Sequence, residues 1–344
     1  MCLSVIISAT FKYIFKVNDN FQKENVLNAR KGITMIMTDG YYPEGELFRT
    51  ESNREYISSL VGLERAKDEG VILEARAVLC DAGHNLHVDL GEVRGIIPYG
   101  EAVYNPSGEA VKDIAVITRV GKIVCFKVTD IEKDCDGTRV VLSRKAAQEE
   151  CGRNYIKRLQ CGDVINAAVT HMEQFGVFCD IGCGMIGLLP VDCISVSRIS
   201  HPEERFSCGQ KIKCVVKNTE PDICRITLTH KELLGTWEEN AKEFCAGETT
   251  CGIVRSVEPY GIFVELTPNL AGLAEWCDGV SVGQQAAVYI KSIIPEKMKI
   301  KLVIVDVYDT DTENVGCDYR FEATHMDAWR YSPIDCTKEI YTVF

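Results

Sequence analysis

The sequence predicts a mainly β protein in which three small five-stranded barrels follow one another and are joined by short helical linkers. Short segments alternate apolar and polar residues between glycines, which is typical of half-buried strands. One segment pattern recurs along the chain, and proline-free stretches with helical periodicity separate its copies. A chain of 344 residues is long enough for two or three such domains.

The repeated pattern is clearest in two segments. "FGVFCDIGCGMIGLLP" begins at Phe175, and "YGIFVELTPNLAGLAE" begins 85 residues later at Tyr260. A weaker copy, "HNLHVDLGEVRGIIP", begins at His84. Each copy belongs to about five short strands with glycine-rich turns, which indicates a Greek-key barrel of the oligonucleotide-binding (OB) type.

Aromatic pairs are expected on the outer faces of these barrels. Val177, Cys179 and Ile181 alternate with Phe178 and Asp180, so we expect the small apolar set to face the core and Phe178 and Asp180 to face solvent. Gly176 is expected to allow a bulge that turns its neighbour outward as well. The resulting pairs are Phe175 and Phe178 in the second copy, Tyr260 and Phe263 in the third, and His84 and His87 in the first.

Strand alternation also predicts outward cations beside these rings. In the second copy these are Lys213, Lys217 and Arg225. In the third copy Lys299 and Lys301 lie on one strand, with Tyr289 and Lys291 on its neighbour. Aromatic rings interleaved with cations suit single-stranded nucleic acid, because rings stack on bases and cations contact phosphates. An ordinary solvated strand face remains the alternative for the lysines alone.

These motifs together resemble the S1 domain, the RNA-binding repeat of bacterial ribosomal protein S1. The resemblance covers residues 69–305, is weaker in the first copy, and is carried by F-G-x-F, G-L-L-P and "RITLTHK". It implies S1-type barrels that bind single-stranded RNA on one face. The family's basic residue that opens the last strand is present as Arg139, Arg225 and Lys299. The family's histidine is replaced by Pro190 and Glu275. Its acidic partner is present as Glu220 in the second copy and is replaced by Ile294 in the third.

The expected domains follow from the repeats and spacers. They are a disordered or mis-started leader (1–40), a helical lead-in (41–68), barrel 1 (69–145), a helical linker (146–160), barrel 2 (161–231), a second helical linker (232–246), barrel 3 (247–305) and a C-terminal tail (306–344).

Net charge, cysteine spacing and the absence of catalytic motifs exclude several classes of function. The net charge of −12 argues against a diffuse polyanion-binding tail, so a nucleic-acid site must be local. None of the 17 cysteines has C-x-x-C spacing, so we expect buried thiols in a reducing compartment and no metal or cofactor. No hydrolase, metalloprotease or phosphate-loop motif occurs, and neither a membrane span nor a signal peptide is predicted.

The sequence therefore predicts a non-catalytic cytoplasmic protein that binds single-stranded messenger RNA in translation, with the small ribosomal subunit as a candidate partner. The alternative is a protein-docking or RNA-decay accessory module that uses one barrel for protein contacts. Barrel 1 is the candidate for docking, because histidines replace the Phe and Tyr pair of the other two barrels there. His84, His87 and Arg139 are expected to form a weaker RNA site there.

Overall fold

The computed structural model describes residues 40–309 and 317–344, apart from residues 92, 107, 109, 135 and 136. All but the last residue of the expected leader lies outside the described residues. Within them, fifteen strands form three closed five-stranded barrels, which confirms the predicted fold class.

Barrel 1 follows two capped helices. The side chains of Thr50 and Ser59 cap α1 (Glu51–Ile57) and α2 (Leu60–Glu69), respectively. The barrel strands are β1 (Leu73–Cys80), β2 (Leu86–Leu90), β3 (Val93–Ile97), β4 (Ile123–Asp134) and β5 (Gly137–Ser143), and α3 (Asp113–Ile117) lies between β3 and β4. The linker to barrel 2 contains α4 (Arg144–Asn154) and a 3-10 turn (Ile156–Arg158).

Barrels 2 and 3 repeat the same strand order and are followed by a small hairpin. Barrel 2 contains β6 (Val164–Glu173), β7 (Gly176–Gly182), β8 (Met185–Pro190), β9 (Lys211–Glu220) and β10 (Arg225–Thr229). The spacer contains a 3-10 turn (Lys231–Leu234) and α5 (Trp237–Ala241). Barrel 3 contains β11 (Thr249–Glu258), β12 (Gly261–Thr267), β13 (Leu270–Ala274), β14 (Gln285–Ile294) and β15 (Lys299–Tyr308), and the hairpin pairs β16 (Ala328–Arg330) with β17 (Tyr341–Val343).

The topology of each barrel brings its last strand beside its third. The first three strands form an antiparallel meander, the fifth pairs in parallel with the third, and the fourth closes the barrel against the first. The outer face of the second, third and fifth strands is therefore continuous in every barrel.

The junction between barrels 1 and 2 contains a buried ion pair. Arg144 is 2% exposed, and its Nε lies 2.7 Å from Oε1 of Glu44. Burial alone would raise the pKa of Glu44, but the Arg144 guanidinium lowers it below its ordinary value.

Asp180 belongs to this junction, so the prediction that it faces solvent is wrong. It points out of barrel 2 but accepts hydrogen bonds from the N–H groups of Glu44 (2.7 Å), Gly182 (2.9 Å) and Gly184 (3.0 Å). The segment around Glu44 covers it. Burial and the nearby Glu44 carboxylate raise the pKa of Asp180 to about 7.

The spacer between barrels 2 and 3 is less helical than its periodicity predicts. Gly235 interrupts the expected helix because its φ of 84° lies outside the helical region. A Cβ at this position would also lie 2.5 Å from Arg320 Cδ. Leu233, Trp237 and Ala241 are nevertheless buried with the core of barrel 3. The spacer thus packs its apolar face as expected without forming one continuous helix.

Asn269, at the turn between β12 and β13, connects barrels 2 and 3. This fully buried residue accepts a hydrogen bond from the N–H of Val196 in barrel 2 (3.1 Å) through Oδ1. Its Nδ2 donates to the spacer carbonyls of Lys231 (2.7 Å) and Gly235 (2.9 Å). Its own carbonyl accepts from the Tyr331 hydroxyl of the tail (2.6 Å). One side chain and its backbone therefore hold four segments together.

The tail packs between the same two barrels. Trp329 and Tyr331 are buried, whereas Tyr341 is exposed. The N–H of Val164 donates to the carbonyl of Thr324 (2.9 Å), which adds the tail to the edge of barrel 2.

Replacing Asn269 should destabilise the contact between barrels 2 and 3. In Asn269→Ala, the Val196 N–H and the Lys231 and Gly235 carbonyls lose their partner, and each unsatisfied buried group costs about 1–3 kcal/mol. We expect the free energy of unfolding to fall by about 3 kcal/mol or more, measured by calorimetry and denaturant titration. Asn218→Ala, at an exposed asparagine of β9, is the control and should change it by less than about 0.5 kcal/mol. Equal stability of the two variants would contradict this role.

Candidate nucleic-acid interface

Barrel 2 presents the Phe175 and Phe178 rings on its outer surface. Phe175 lies in the turn between β6 and β7 and is 58% exposed, and Phe178 on β7 is half-buried. Their centroids are 5.9 Å apart and their planes are nearly perpendicular, at 87°. The structure thus brings the two rings together outside the barrel core, which is filled by residues such as Val177 and Cys179.

The geometry that places Phe175 there differs from the expected bulge at Gly176. The register shift lies in the partner strand β6, between Val169 and His171. Phe175 reaches the outer face because it belongs to the turn and precedes the strand. Gly176 is needed for another reason: a Cβ there would lie 2.6 Å from the carbonyl oxygen of Leu189.

The bulge in β6 adds a third ring, His171. Ala167 and Val169 face the core, so simple alternation would also send His171 inward. The register shift turns it outward, where its ring lies 6.2 Å from that of Phe178 at an interplanar angle of 15°. Its Nε2 lies 2.8 Å from Oε1 of Glu173. Sequence analysis missed this residue because no glycine or proline marks the bulge.

Barrel 3 repeats the aromatic pair with the same geometry. Tyr260 is 69% exposed in the β11–β12 turn, and Phe263 on β12 is half-buried. Their centroids are 6.2 Å apart at an angle of 85°. Gly261 has the same role as Gly176, since a Cβ would lie 2.5 Å from the carbonyl oxygen of Ala274.

Strand registers show what lies beside each half-buried ring. In barrel 2 the row across β7, β8, β10 and β9 is Phe178, Leu188, Thr227 and Asn218. In barrel 3 the row across β12, β13, β15 and β14 is Phe263, Leu273, Lys301 and Ser292. Barrel 3 therefore places a cation two strands from its ring, where barrel 2 has a threonine.

The cations of barrel 3 gather on its aromatic face. Lys299 and Lys301 are exposed on β15, and neither has an ion pair with any described residue. Lys291 lies 3.5 Å from Glu275, the residue at the position of the family's histidine. Tyr289 is exposed and pairs in register with Val303 of β15. These four residues, like Tyr260 and Phe263, thus lie on the outer surface of the barrel.

The predicted cations of barrel 2 are less available. Arg225 is exposed and lies 3.7 Å from Glu220, its predicted acidic partner. Lys217 Nζ lies 3.1 Å from Sγ of Cys193, and this hydrogen bond raises the lysine's pKa. Lys213 Nζ lies 5.9 Å from the centroid of the Tyr319 ring in the tail. The structure does not bring Lys213 to the aromatic face, because the tail contacts that part of β9.

Barrel 1 lacks an equivalent ring pair. His84 has a φ of 59°, and its ring lies 5.8 Å from that of Tyr99. His87 Nε2 is 3.2 Å from Oδ2 of Asp81. The exposed Arg139 forms an ion pair with Glu132. The three residues of the expected weaker site therefore engage neighbours of their own barrel.

The remaining chemistry of the described chain is limited. The fifteen cysteines in the described ranges are free thiols, and eight of them are buried. Across the same ranges, no cluster of three or more His, Cys, Asp or Glu side chains could hold a metal ion. The helices of the described part include none that is long and apolar enough to cross a membrane.

Comparison with known proteins identifies the family. The model of the S1 RNA binding domain matches residues 158–231, which contain barrel 2. Small ribosomal subunit protein bS1 of Staphylococcus aureus (strain COL) is 31% identical over 288 residues, covering 79% of this chain and 71% of that protein. The bS1 homolog of Bacillus cereus is 34% identical over 272 residues, covering 74% and 68%.

A solved multidomain protein with nucleic acid binding domains from Streptococcus pneumoniae is 14% identical, over 71% of this chain and 76% of that one, with a TM-score of 0.24. A score this low does not define a common arrangement of domains. The extent of the match to the bS1 proteins confirms the resemblance predicted from the sequence: this chain belongs to the bS1 family of small ribosomal subunit proteins.

Proposed function

We propose that this chain is a non-catalytic, cytoplasmic protein that binds single-stranded messenger RNA during translation. The observation that carries the proposal is the pair of perpendicular, outward-facing rings that occurs with the same geometry in barrels 2 and 3. Bases of a single strand are free to stack on such rings, whereas bases in a duplex already stack on one another. Stacking contributes about 1–3 kcal/mol per base and tolerates any sequence.

Local positive charge supports the same function. The chain carries a net charge of −12, so RNA must approach a face from which carboxylates are largely absent or paired. Barrel 3 offers Lys299 and Lys301 without described ion-pair partners, on the strand that lies two strands from Phe263. We propose barrel 3 as the main phosphate-binding barrel and barrel 2 as mainly a stacking surface.

The names of the relatives support a role on the small ribosomal subunit. The bS1 proteins that this chain resembles are named as components of the small ribosomal subunit, and the domain matched by barrel 2 is named for RNA binding. We therefore propose the small ribosomal subunit as a partner. Rings and cations account for binding without any bond-making step, so we assign no catalytic residue.

The most exposed rings should matter for RNA and little for stability. We expect the double variant Phe175→Ala/Tyr260→Ala to keep the native melting temperature, because both rings are more than half exposed. Its affinity for single-stranded RNA should fall about 5-fold or more, since each ring stacks a base. Fluorescence anisotropy and calorimetry on the full chain measure the two quantities.

Val177→Ala is the matched control for that experiment. Val177 lies between Phe175 and Phe178 in sequence but is fully buried in the core of barrel 2. This variant should lose stability because of the cavity it creates, while its folded fraction binds RNA normally. Loss of stability without loss of affinity in Phe175→Ala/Tyr260→Ala would show that these rings serve the core.

Salt dependence tests the assignment of the lysines. Each phosphate contact with a single strand contributes about −0.7 to the slope of log affinity against log salt. Lys299→Ala/Lys301→Ala should therefore make the slope shallower by about 1.4. Lys242→Ala/Lys338→Ala removes the same charge from exposed sites outside the barrels and should leave the slope nearly unchanged. Equal slopes for the two double variants would remove Lys299 and Lys301 from the phosphate contacts.

A second function, protein docking, is favoured for barrel 1 by its exposed apolar residues. The N–H of Gly121 donates to the carbonyl of Ala77, which places Val120 near Val78 on the surface. The exposed set on β1, α3 and the following turn is Val78, Leu79, Ile114, Ile117 and Val120. Exposed apolar side chains of this kind are candidates for a protein-binding surface.

Cosedimentation with purified small ribosomal subunits distinguishes docking from RNA binding. We expect Leu79→Ser/Ile114→Ser to lose subunit binding while its affinity for a free RNA oligonucleotide remains native. Phe175→Ala/Tyr260→Ala should instead lose more affinity for the free RNA oligonucleotide than for the subunit. If Leu79→Ser/Ile114→Ser cosediments as well as the native chain, barrel 1 does not dock through this surface.

A further inference from the structure

Trp276 stands apart from the other tryptophans of the chain. The sequence contains three tryptophans, and Trp237 and Trp329 are buried at 3% and 6% exposure. Trp276 is 53% exposed and lies two residues beyond the end of β13 at Ala274. This large apolar side chain is thus half exposed to water, on the barrel that carries the exposed Lys299 and Lys301.

Trp276 lies at the same end of barrel 3 as the turn that carries Tyr260. The pairing of β12 with β13 ends at Ile262 and Ala274, and Tyr260 and Trp276 each lie two residues beyond this last pair. The close approach of Gly261 to the carbonyl of Ala274 holds the two chain segments together at this point. Trp276 and Tyr260 therefore border the same end of the barrel.

Barrel 2 has a smaller residue at the position of Trp276. Val191 is the corresponding residue: it follows β8, and its N–H donates to the carbonyl of Phe175 (2.9 Å). There the chain continues through two 3-10 turns, Val191–Cys193 and Pro202–Glu204, and Val191 packs on the barrel core. In barrel 3 only residues 275–284 connect β13 to β14. Barrel 3 thus has a shorter connection here, and its Trp276 is exposed where Val191 of barrel 2 is partly buried.

Trp276 has charged neighbours of both signs, because the exposed Asp278 follows it by two residues and cations lie on β14 and β15. The preceding residue, Glu275, lies 3.5 Å from Lys291, which partly neutralises its charge. Tyr289 of β14 and Val303 of β15 are both exposed and pair in register. Lys301 lies two residues before Val303 on β15. Phosphates can therefore reach cations on β15 while bases lie over the rings at this end.

We propose that Trp276 is a third base-stacking residue of barrel 3, which binds the nucleobase next to those held by Tyr260 and Phe263. The inference rests on the proposed RNA-binding function and extends the site beyond the aromatic pair. An indole has the largest stacking surface of the aromatic side chains and accepts any base, because every base has a π face. The bound strand would then run from Phe263 past Tyr260 toward the β13–β14 loop.

Intrinsic fluorescence tests this assignment on the full chain, because only Trp276 is solvent-exposed. Unlabelled single-stranded oligouridylate of about 12 nucleotides, within the range that one OB barrel binds, should quench the emission and protect it from acrylamide. Trp276→Phe should lose this RNA-dependent quenching while still binding RNA. Trp276→Ala should bind the oligonucleotide about 5-fold or more weakly, measured by anisotropy with a labelled copy.

Val282→Ala is the matched control. Val282 is an exposed apolar residue of the same β13–β14 loop, and its replacement should change neither quenching nor affinity. If the native chain binds RNA by anisotropy but its emission does not change, or if Trp276→Ala binds as well as the native chain, Trp276 does not stack on a base. If Trp276→Ala instead loses only cosedimentation with ribosomal subunits, the ring contacts protein and the assignment is wrong. Absence of any RNA binding by the native chain would contradict the proposed function itself.

Discussion

The buried side chain of Asn269 is the interaction on which the arrangement of barrels 2 and 3 depends. Its side-chain amide forms hydrogen bonds with a loop of barrel 2 and with the spacer, and its backbone carbonyl accepts one from the tail. These contacts are hydrogen bonds to buried backbone groups, which are costly to leave unsatisfied. The two aromatic faces are therefore carried by domains whose contact is specified by the chain itself. An RNA strand held by one barrel would be presented to the other at a high effective concentration, so modest stacking energies could give useful affinity.

Closure of each barrel supplies the second constraint. Once five strands close, every strand residue faces either the core or the outside, and the small apolar residues of β7 and β12 take the inside. Phe178 and Phe263 are then turned outward. Phe175 and Tyr260 join them because they belong to the hairpin turns, and Gly176 and Gly261 allow the chain after each turn to approach the neighbouring strand. The ring geometry repeats because barrels 2 and 3 share the same strand alternation and the same glycine after the turn.

Local pattern was enough to predict the barrels and the aromatic pairs, because both depend on residues adjacent in sequence. It failed where distant segments decide the environment. Asp180 has outward parity but is buried by Glu44, which lies 136 positions earlier. Lys213 also has outward parity, yet it lies over Tyr319 of the tail. His171 was missed for a different reason, since a bulge in β6 reversed its parity without a glycine or proline to mark it.

Photocrosslinking tests the central claim most directly. Single-stranded RNA containing 4-thiouracil would be bound to the full chain, irradiated, and the crosslinked peptides identified by mass spectrometry. If bases stack on the outward rings of barrels 2 and 3, crosslinks will concentrate at Phe175, Phe178, Tyr260 and Phe263. Crosslinks confined to barrel 1 or to the strand face around Lys213 would contradict that claim.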